Sequence, residues 1–279
     1  MSSKPKPARS ARSAEIVRAE VPRARVGFYA ATAIAFALTA RSVLISPVPI
    51  WMSLGVSFLY VAFMLGGVFI LRWRMYVDAV VHGPDKSRGV VLTFDDGPDP
   101  ETTPLVLAAL AAANAKATFF VIAKKAEKYP KIVEKMIADG HTVGLHAYAH
   151  DRLFSLRTPA RVKADLERGL DVLEKITGDR TPLFRPPIGH TNPIIARVVD
   201  ELDLIVVGWS VSARDGTKGQ TEDVVLRRVR AGLDHGAIVL MHDASERGDF
   251  APLGPKVLPA VLHAIKEEGL EVVPLETFL

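Results

Sequence analysis

From residue 50 to residue 71 the chain carries no charged side chain. About 20 apolar residues are what a helix needs to cross a hydrocarbon core. Residues 26–45 form an earlier apolar run, interrupted by Arg41 near one end, where a long side chain can reach the interface. Pro47 and Pro49 separate the two runs, and Trp51, Trp73 and Tyr76 stand where interfacial aromatics belong. This pattern predicts two transmembrane helices within residues 26–74. Residues 1–25, rich in Lys, Arg, Ser and Pro without an apolar period, read as a basic disordered arm. A cleaved signal peptide competes for the first run, but no clear small-x-small site follows it.

Charge distribution sets the expected orientation. Residues 1–89 hold twelve Lys or Arg against four Asp or Glu, whereas residues 90–279 hold 23 against 27. Basic residues therefore flank the apolar pair: seven precede it, and Arg72, Arg74, Lys86 and Arg88 follow it. The positive-inside rule then predicts an inner-membrane hairpin with both ends in the cytoplasm. If the second run alone spans, the remaining domain lies outside. There is no cysteine, which excludes disulfides and thiolate ligands. No basic stripe interleaved with aromatics is present, so nucleic acid is not an expected partner.

After a linker at 75–87, apolar strand-like runs recur at 90–94, 117–123, 142–146, 182–185, 204–209, 237–242 and 270–274. Helical patterns fill the gaps, for example at 105–113, 129–138, 160–176 and 223–233. Such alternation implies a parallel sheet with right-handed crossovers. Polar groups cluster where the runs end. Thr93-Phe94-Asp95-Asp96-Gly97-Pro98-Asp99 sets two adjacent carboxylates at a strand terminus, a costly placement that a metal ion or a catalytic task would explain. His146 and His150 are spaced i, i+4, which on a helical turn would share one face. One carboxylate with two imidazoles suits zinc or another divalent transition metal and leaves open positions. Arg185-Pro186-Pro187-Ile188-Gly189, Trp209 through Arg214-Asp215, and Leu240-Met241-His242 complete the series. Active sites of (β/α) barrels lie at this C-terminal face.

These five segments, in this order, resemble the motifs of the polysaccharide deacetylases, the carbohydrate esterases sharing a homology domain with the nodulation-factor chitooligosaccharide deacetylase. The resemblance covers residues 88–279. It implies a distorted barrel of about seven strands, so the expected architecture is an α/β, (β/α)7-type barrel behind a transmembrane hairpin. It implies a hydrolase that removes an acetyl or formyl group from the nitrogen of an amino sugar. Asp96, His146 and His150 would be ligands of one divalent ion, zinc first, with cobalt, nickel or manganese as alternatives. Asp95 would be the general base, held by Arg185. His242 would be the general acid, oriented by Asp215. Pro187, Ile188, Trp209 and Leu240 would contact substrate, with the Ile188 N–H meeting the oxyanion.

Three positions depart from the family pattern: Ala147 where a hydroxyl is usual, Ile188 where an aromatic is common, and Gly216 where tryptophan commonly follows the aspartate. The ionisable groups are intact. Expected partners are an N-acylated amino-sugar glycan or a lipid-linked sugar, together with membrane lipid. Cytoplasmic orientation favours the lipid-linked substrate. An extracytoplasmic peptidoglycan or exopolysaccharide deacetylase is the second reading, and an inactive glycan-binding or scaffold protein the third.

Overall fold

The computed structural model describes residues 21–247 and 250–279. Most of the expected basic arm lies outside them. Two long helices come first, α1 (Arg23–Leu44) and α2 (Ile50–Phe69), so helix begins within the last residues assigned to the arm. Both are long and apolar enough to cross a membrane, and almost none of their surface is buried in the protein. They pack side by side: Phe63 closes on Gly27, and the Thr32 hydroxyl meets the Tyr60 hydroxyl at 3.0 Å.

Eight parallel strands form one curled sheet in the order β1-β6-β5-β4-β3-β2-β8-β7. They are β1 (Ala79–Val80), β2 (Val91–Asp95), β3 (Thr118–Val121), β4 (Thr142–Leu145), β5 (Leu183–Phe184), β6 (Ile205–Val207), β7 (Val211–Ser212) and β8 (Ile238–His242). β1 and β7 are the two edges, so the barrel is open between them. Helices α3 (Thr103–Ala112), α4 (Ala123–Lys128), α5 (Pro130–Ala138), α6 (Pro159–Thr177), α7 (Pro193–Glu201) and α8 (Glu222–Arg230) occupy crossovers, and α9 (Gly254–Glu267) follows the last strand.

The expected parallel α/β barrel is therefore present, with changes at its margins. The run at 270–274 is not a strand. It makes one bridge, Val90 to Val272, and Pro274, which has no N–H to donate, follows directly. The stretch read as a linker instead supplies β1, which pairs Ala79 with Val206 and Val80 with Val207. β1 and β7 have two residues each, too few to show a period, and exist because a neighbouring strand offers them a ladder.

Strand alternation divides the apolar residues into two sets. Leu92, Phe94, Phe119, Val143, Leu145, Phe184, Val206, Val239 and Met241 pack outward against the helices. Val91, Phe120, Leu183, Ile205, Val207 and Ile238 form a smaller inner cluster with Leu275 and Phe278. The same parity carries Asp95 on β2, Arg185 just after β5 and His242 on β8 into the barrel interior at its C-terminal end. His146, one residue past β4, follows the same rule. Each lies an even number of residues beyond an inward-facing position.

Candidate active site

At the C-terminal end of the sheet a cleft of about 530 Å³ is lined by Asp95, Asp96, His146, His150, Ile188, Trp209, Leu240 and His242, among others. Suitable ligand atoms of Asp96, His146 and His150 lie within 4.8 Å of one another, and all three residues are buried. His150 Nε2 is 3.4 Å and His146 Nε2 3.6 Å from Asp96 Oδ1. That carboxylate oxygen is buried with no hydrogen-bond partner among the described residues. An orphaned buried acceptor facing two imidazoles is costly unless a cation completes it. These residues fit a divalent ion.

The histidine pair is not on a helical turn. Residues 146–150 form a bend in which Ala147 (φ 62°) and His150 (φ 48°) take left-handed conformations, and that bend brings the two rings together with centroids 4.7 Å apart. His146 Nδ1 donates to the Arg185 carbonyl at 2.8 Å, leaving the Nε2 lone pair turned toward the Asp96 carboxylate, two acceptors that only a shared cation could satisfy together. Burial, opposed by the nearby Asp95 carboxylate, holds this imidazole down at a pKa of about 4, so it is neutral in the form a metal requires.

Arg185 is the largest fully buried side chain among the described residues. Its Nη1 donates to Asp95 Oδ1 at 2.7 Å and to the Thr93 hydroxyl at 2.8 Å; its Nε and Nη2 reach the carbonyls of Val207 and Gly208 at 3.0 and 2.8 Å. The guanidinium stacks over Phe120, 4.1 Å from the ring centroid. Asp95 is thus held by one oxygen, while its Oδ2 lies 3.8 Å from His146 Nε2.

Opposite them, His242 Nδ1 meets Asp215 Oδ1 at 3.0 Å, and the His242 backbone N–H donates to Asp215 Oδ2 at 2.8 Å. Partial burial disfavours the imidazolium, but Asp215, with Asp96 and Asp95 beyond it, outweighs this and pushes the pKa up to about 10. Gly216 explains how the ring fits: a Cβ there would stand 2.9 Å from the imidazole. Gly216, where the family commonly has tryptophan, lines the cleft beside His242.

Of the expected substrate contacts, Ile188, Trp209 and Leu240 line the cleft. Pro187 is not among the cleft-lining residues; it is buried within the turn Pro187–Gly189. Ile188 has φ 50°, uncommon for a β-branched residue, and the next residue, Gly189 (φ 72°), lies where a Cβ would meet the Trp209 ring at 2.6 Å. Sequence reasoning passed over Lys125, whose Nζ donates to the carbonyls of Asp96 at 2.7 Å and Ser245 at 2.6 Å. It also passed over Lys218, Glu246 and Phe250 on the cleft wall, and no periodicity or spacing marks them.

A curled parallel α/β sheet with an Asp-His-His cluster, a clamped carboxylate and a carboxylate-bound histidine at its C-terminal end defines a hydrolytic barrel enzyme. Comparison with known proteins makes this specific. A polysaccharide deacetylase family model matches residues 82–207. A peptidoglycan-N-acetylglucosamine deacetylase of Bacillus cereus is 33% identical over 198 residues, 69% of each chain. A chitooligosaccharide deacetylase of Azorhizobium caulinodans is 35% identical over 195 residues, covering 67% of this chain and 92% of that one. Among solved structures, a peptidoglycan N-acetylglucosamine deacetylase superposes with a TM-score of 0.66 at 30% identity, covering 71% of this chain and 91% of that chain. The chain belongs to the polysaccharide deacetylase family, hydrolases acting on the amide bonds of N-acetyl sugars.

Proposed function

We propose that this protein is a membrane-anchored, metal-dependent N-deacetylase acting on an N-acetylated amino-sugar glycan of the peptidoglycan class. The observation that carries the chemistry is the orphaned Asp96 Oδ1 facing His146 and His150 across the cleft from His242. A divalent cation bound there, zinc by the donor set, would polarise the acyl carbonyl and make water a better nucleophile. Asp95 takes the proton of the attacking water on its Oδ2, because Oδ1 is engaged by Arg185. The water oxygen bonds to the acyl carbon, and the Ile188 backbone N–H supports the developing oxyanion. When the C–N bond breaks, His242 delivers its Nε2 proton to the departing amine, its Nδ1 being held by Asp215. The products are a carboxylate and a free amino sugar.

Anchoring is supported by α1 and α2, whose apolar surface the rest of the protein leaves uncovered. A second substrate reading, a lipid-linked N-acyl sugar at the inner leaflet, draws support from the attachment of the cleft to α2: the Thr191 N–H donates to the Val68 carbonyl at 3.0 Å. The test has two arms. Alkaline phosphatase and a cytoplasmic reporter, each fused after Leu279, give the side of the membrane. Acetate release from N-acetylated peptidoglycan and from a polyprenyl-linked N-acetyl sugar gives the substrate. An active phosphatase fusion with release from peptidoglycan establishes the first reading. An active cytoplasmic reporter with release only from the lipid-linked sugar establishes the second. Metal content of one ion per chain without release from any glycan would sink both and restore the binding-protein reading.

A further inference from the structure

Beyond Ile70, the large apolar side chains left exposed among the described residues are Leu105, Ile137, Leu153, Leu156 and Ile188. Three of these belong to two neighbouring loops at the C-terminal end of the sheet, one after β4 and one after β5. Leu156 is 79% exposed and Leu153 61%, comparable with Leu44 and Ile45 at the tip of the apolar hairpin. Single exposed leucines are ordinary on a soluble surface. These two differ in where they sit.

The loop after β5 is fastened to the end of α2. The Val68 carbonyl accepts from the Thr191 N–H at 3.0 Å, and the Phe69 ring packs edge-on against His190 with centroids 4.8 Å apart. The next residue, Asn192, donates through Nδ2 to the Ser155 carbonyl at 2.5 Å, in the loop after β4. Two hydrogen bonds therefore lead from the last turn of α2 to the 3-10 turn Phe154–Leu156. That turn is anchored from below. Phe154 is buried against Phe184, and Arg157 pairs with Asp151 at 2.8 Å and Asp165 at 2.9 Å. Leu156 in the turn and Leu153 just before it are presented outward on this base.

We propose that Leu153 and Leu156 form a second membrane contact, entering the boundary between headgroups and acyl chains beside the end of α2 and seating the rim of the catalytic cleft on the lipid surface. The inference rests on the reading of α1 and α2 as a membrane anchor. Continuity argues for lipid over another protein as the occupant. Phe69 marks the end of the apolar helix, hence one boundary of the hydrocarbon core, and the leucine loop is held next to it. Arg72, exposed just past that end, adds a charge suited to anionic headgroups. Ile188, 43% exposed on the cleft rim, belongs to the loop between the leucines and α2. Substrate would then enter along the membrane surface.

The absence of cysteine gives a clean test, because each introduced cysteine carries the only label. The full chain is placed in vesicles of phosphatidylcholine and phosphatidylglycerol, with an environment-sensitive fluorophore on Leu156→Cys, Ile137→Cys or Leu59→Cys. Ile137 lies in the last turn of α5, which leads into the N-terminal end of β4 on the opposite side of the barrel, and Leu59 is an exposed residue of α2. Blue-shifted emission at Leu156 and Leu59, quenched by a lipid-borne quencher, with Ile137 unquenched, supports the proposal. Quenching at Leu59 with Leu156 as aqueous as Ile137 overturns it and leaves the anchor standing. Leu156 shielded from water but untouched by the lipid quencher means a protein partner or a second copy, and also overturns it. No lipid quenching at Leu59 removes the anchor reading and the proposal together.

Discussion

Asp215 holds His242 at two points, one carboxylate oxygen on the ring Nδ1 at 3.0 Å and the other on the backbone N–H at 2.8 Å. The double contact fixes both the tautomer and the direction of the ring. It also favours the protonated state, which is the state a proton donor to a leaving amine must occupy. The pKa of about 10 places loss of that proton well above neutrality.

The rate should therefore fall on the alkaline side as pH rises through the His242 pKa. Asp215→Asn removes the charge that raises it, so the limb should move toward lower pH and the rate at neutral pH should drop by roughly 10- to 1,000-fold. His242→Ala should abolish the limb. A pH–rate profile of kcat for parent and both variants checks this, and an unchanged limb in His242→Ala would assign the proton donor elsewhere.

Asp95→Asn keeps an acceptor for Arg185 but cannot take a proton from water. Metal content should be retained while turnover falls by about 10²–10⁴-fold. Elemental analysis beside acetate-release kinetics separates the two effects. A rate within about tenfold of the parent would exclude Asp95 as the base.

His150→Ala removes one of three clustered ligand groups. Stoichiometric metal should be lost along with activity, and activity of the parent stripped by a chelator should return with added zinc. Full metal occupancy in the variant, measured after dialysis, contradicts the ligand set.

Arg185→Met leaves the Asp95 carboxylate in the barrel without its cation, and the carbonyls of Val207 and Gly208 without a donor. Breaking a buried pair costs about 3–5 kcal/mol. For a domain of this size the fall in Tm is on the order of 10 °C. Arg185→Lys should recover little, since one ammonium cannot reproduce the planar fork. Calorimetry of both variants reads this directly.

Gly216→Ala places a methyl group 2.9 Å from the His242 ring. The ring must move, so kcat should fall while metal content and Tm stay near the parent values. Unchanged kcat would show that the imidazole has room to give.

The sequence was most legible where local chemistry repeats. Each motif that ends an inward-facing strand was visible as an apolar run meeting a polar group, and pleat parity then aims Asp95, His146, Arg185 and His242 at one point. The two charge-free or nearly charge-free runs announced α1 and α2 for the same reason: length and composition are local properties. Where only a few residues are involved, pattern fails. β1 and β7 are too short for a period, and residues 270–274 have strand composition but meet a partner only at Val90. The i, i+4 spacing of His146 and His150 suggested a helical turn, yet the chain brings them together through two left-handed residues.

Sequence alone thus determined the parallel α/β class, the identity of the ionisable groups and their place at strand ends, because apolar periodicity and residue chemistry are written position by position. Tertiary structure alone decided which carboxylate oxygen Arg185 engages, that Asp96 Oδ1 is left without a partner, that Pro187 is excluded from the cleft, that Gly216 makes room for the His242 ring, and that the end of α2 is fastened to the site loop. Those outcomes depend on distances between segments far apart in the chain, set by strand register and by the packing of one loop on another.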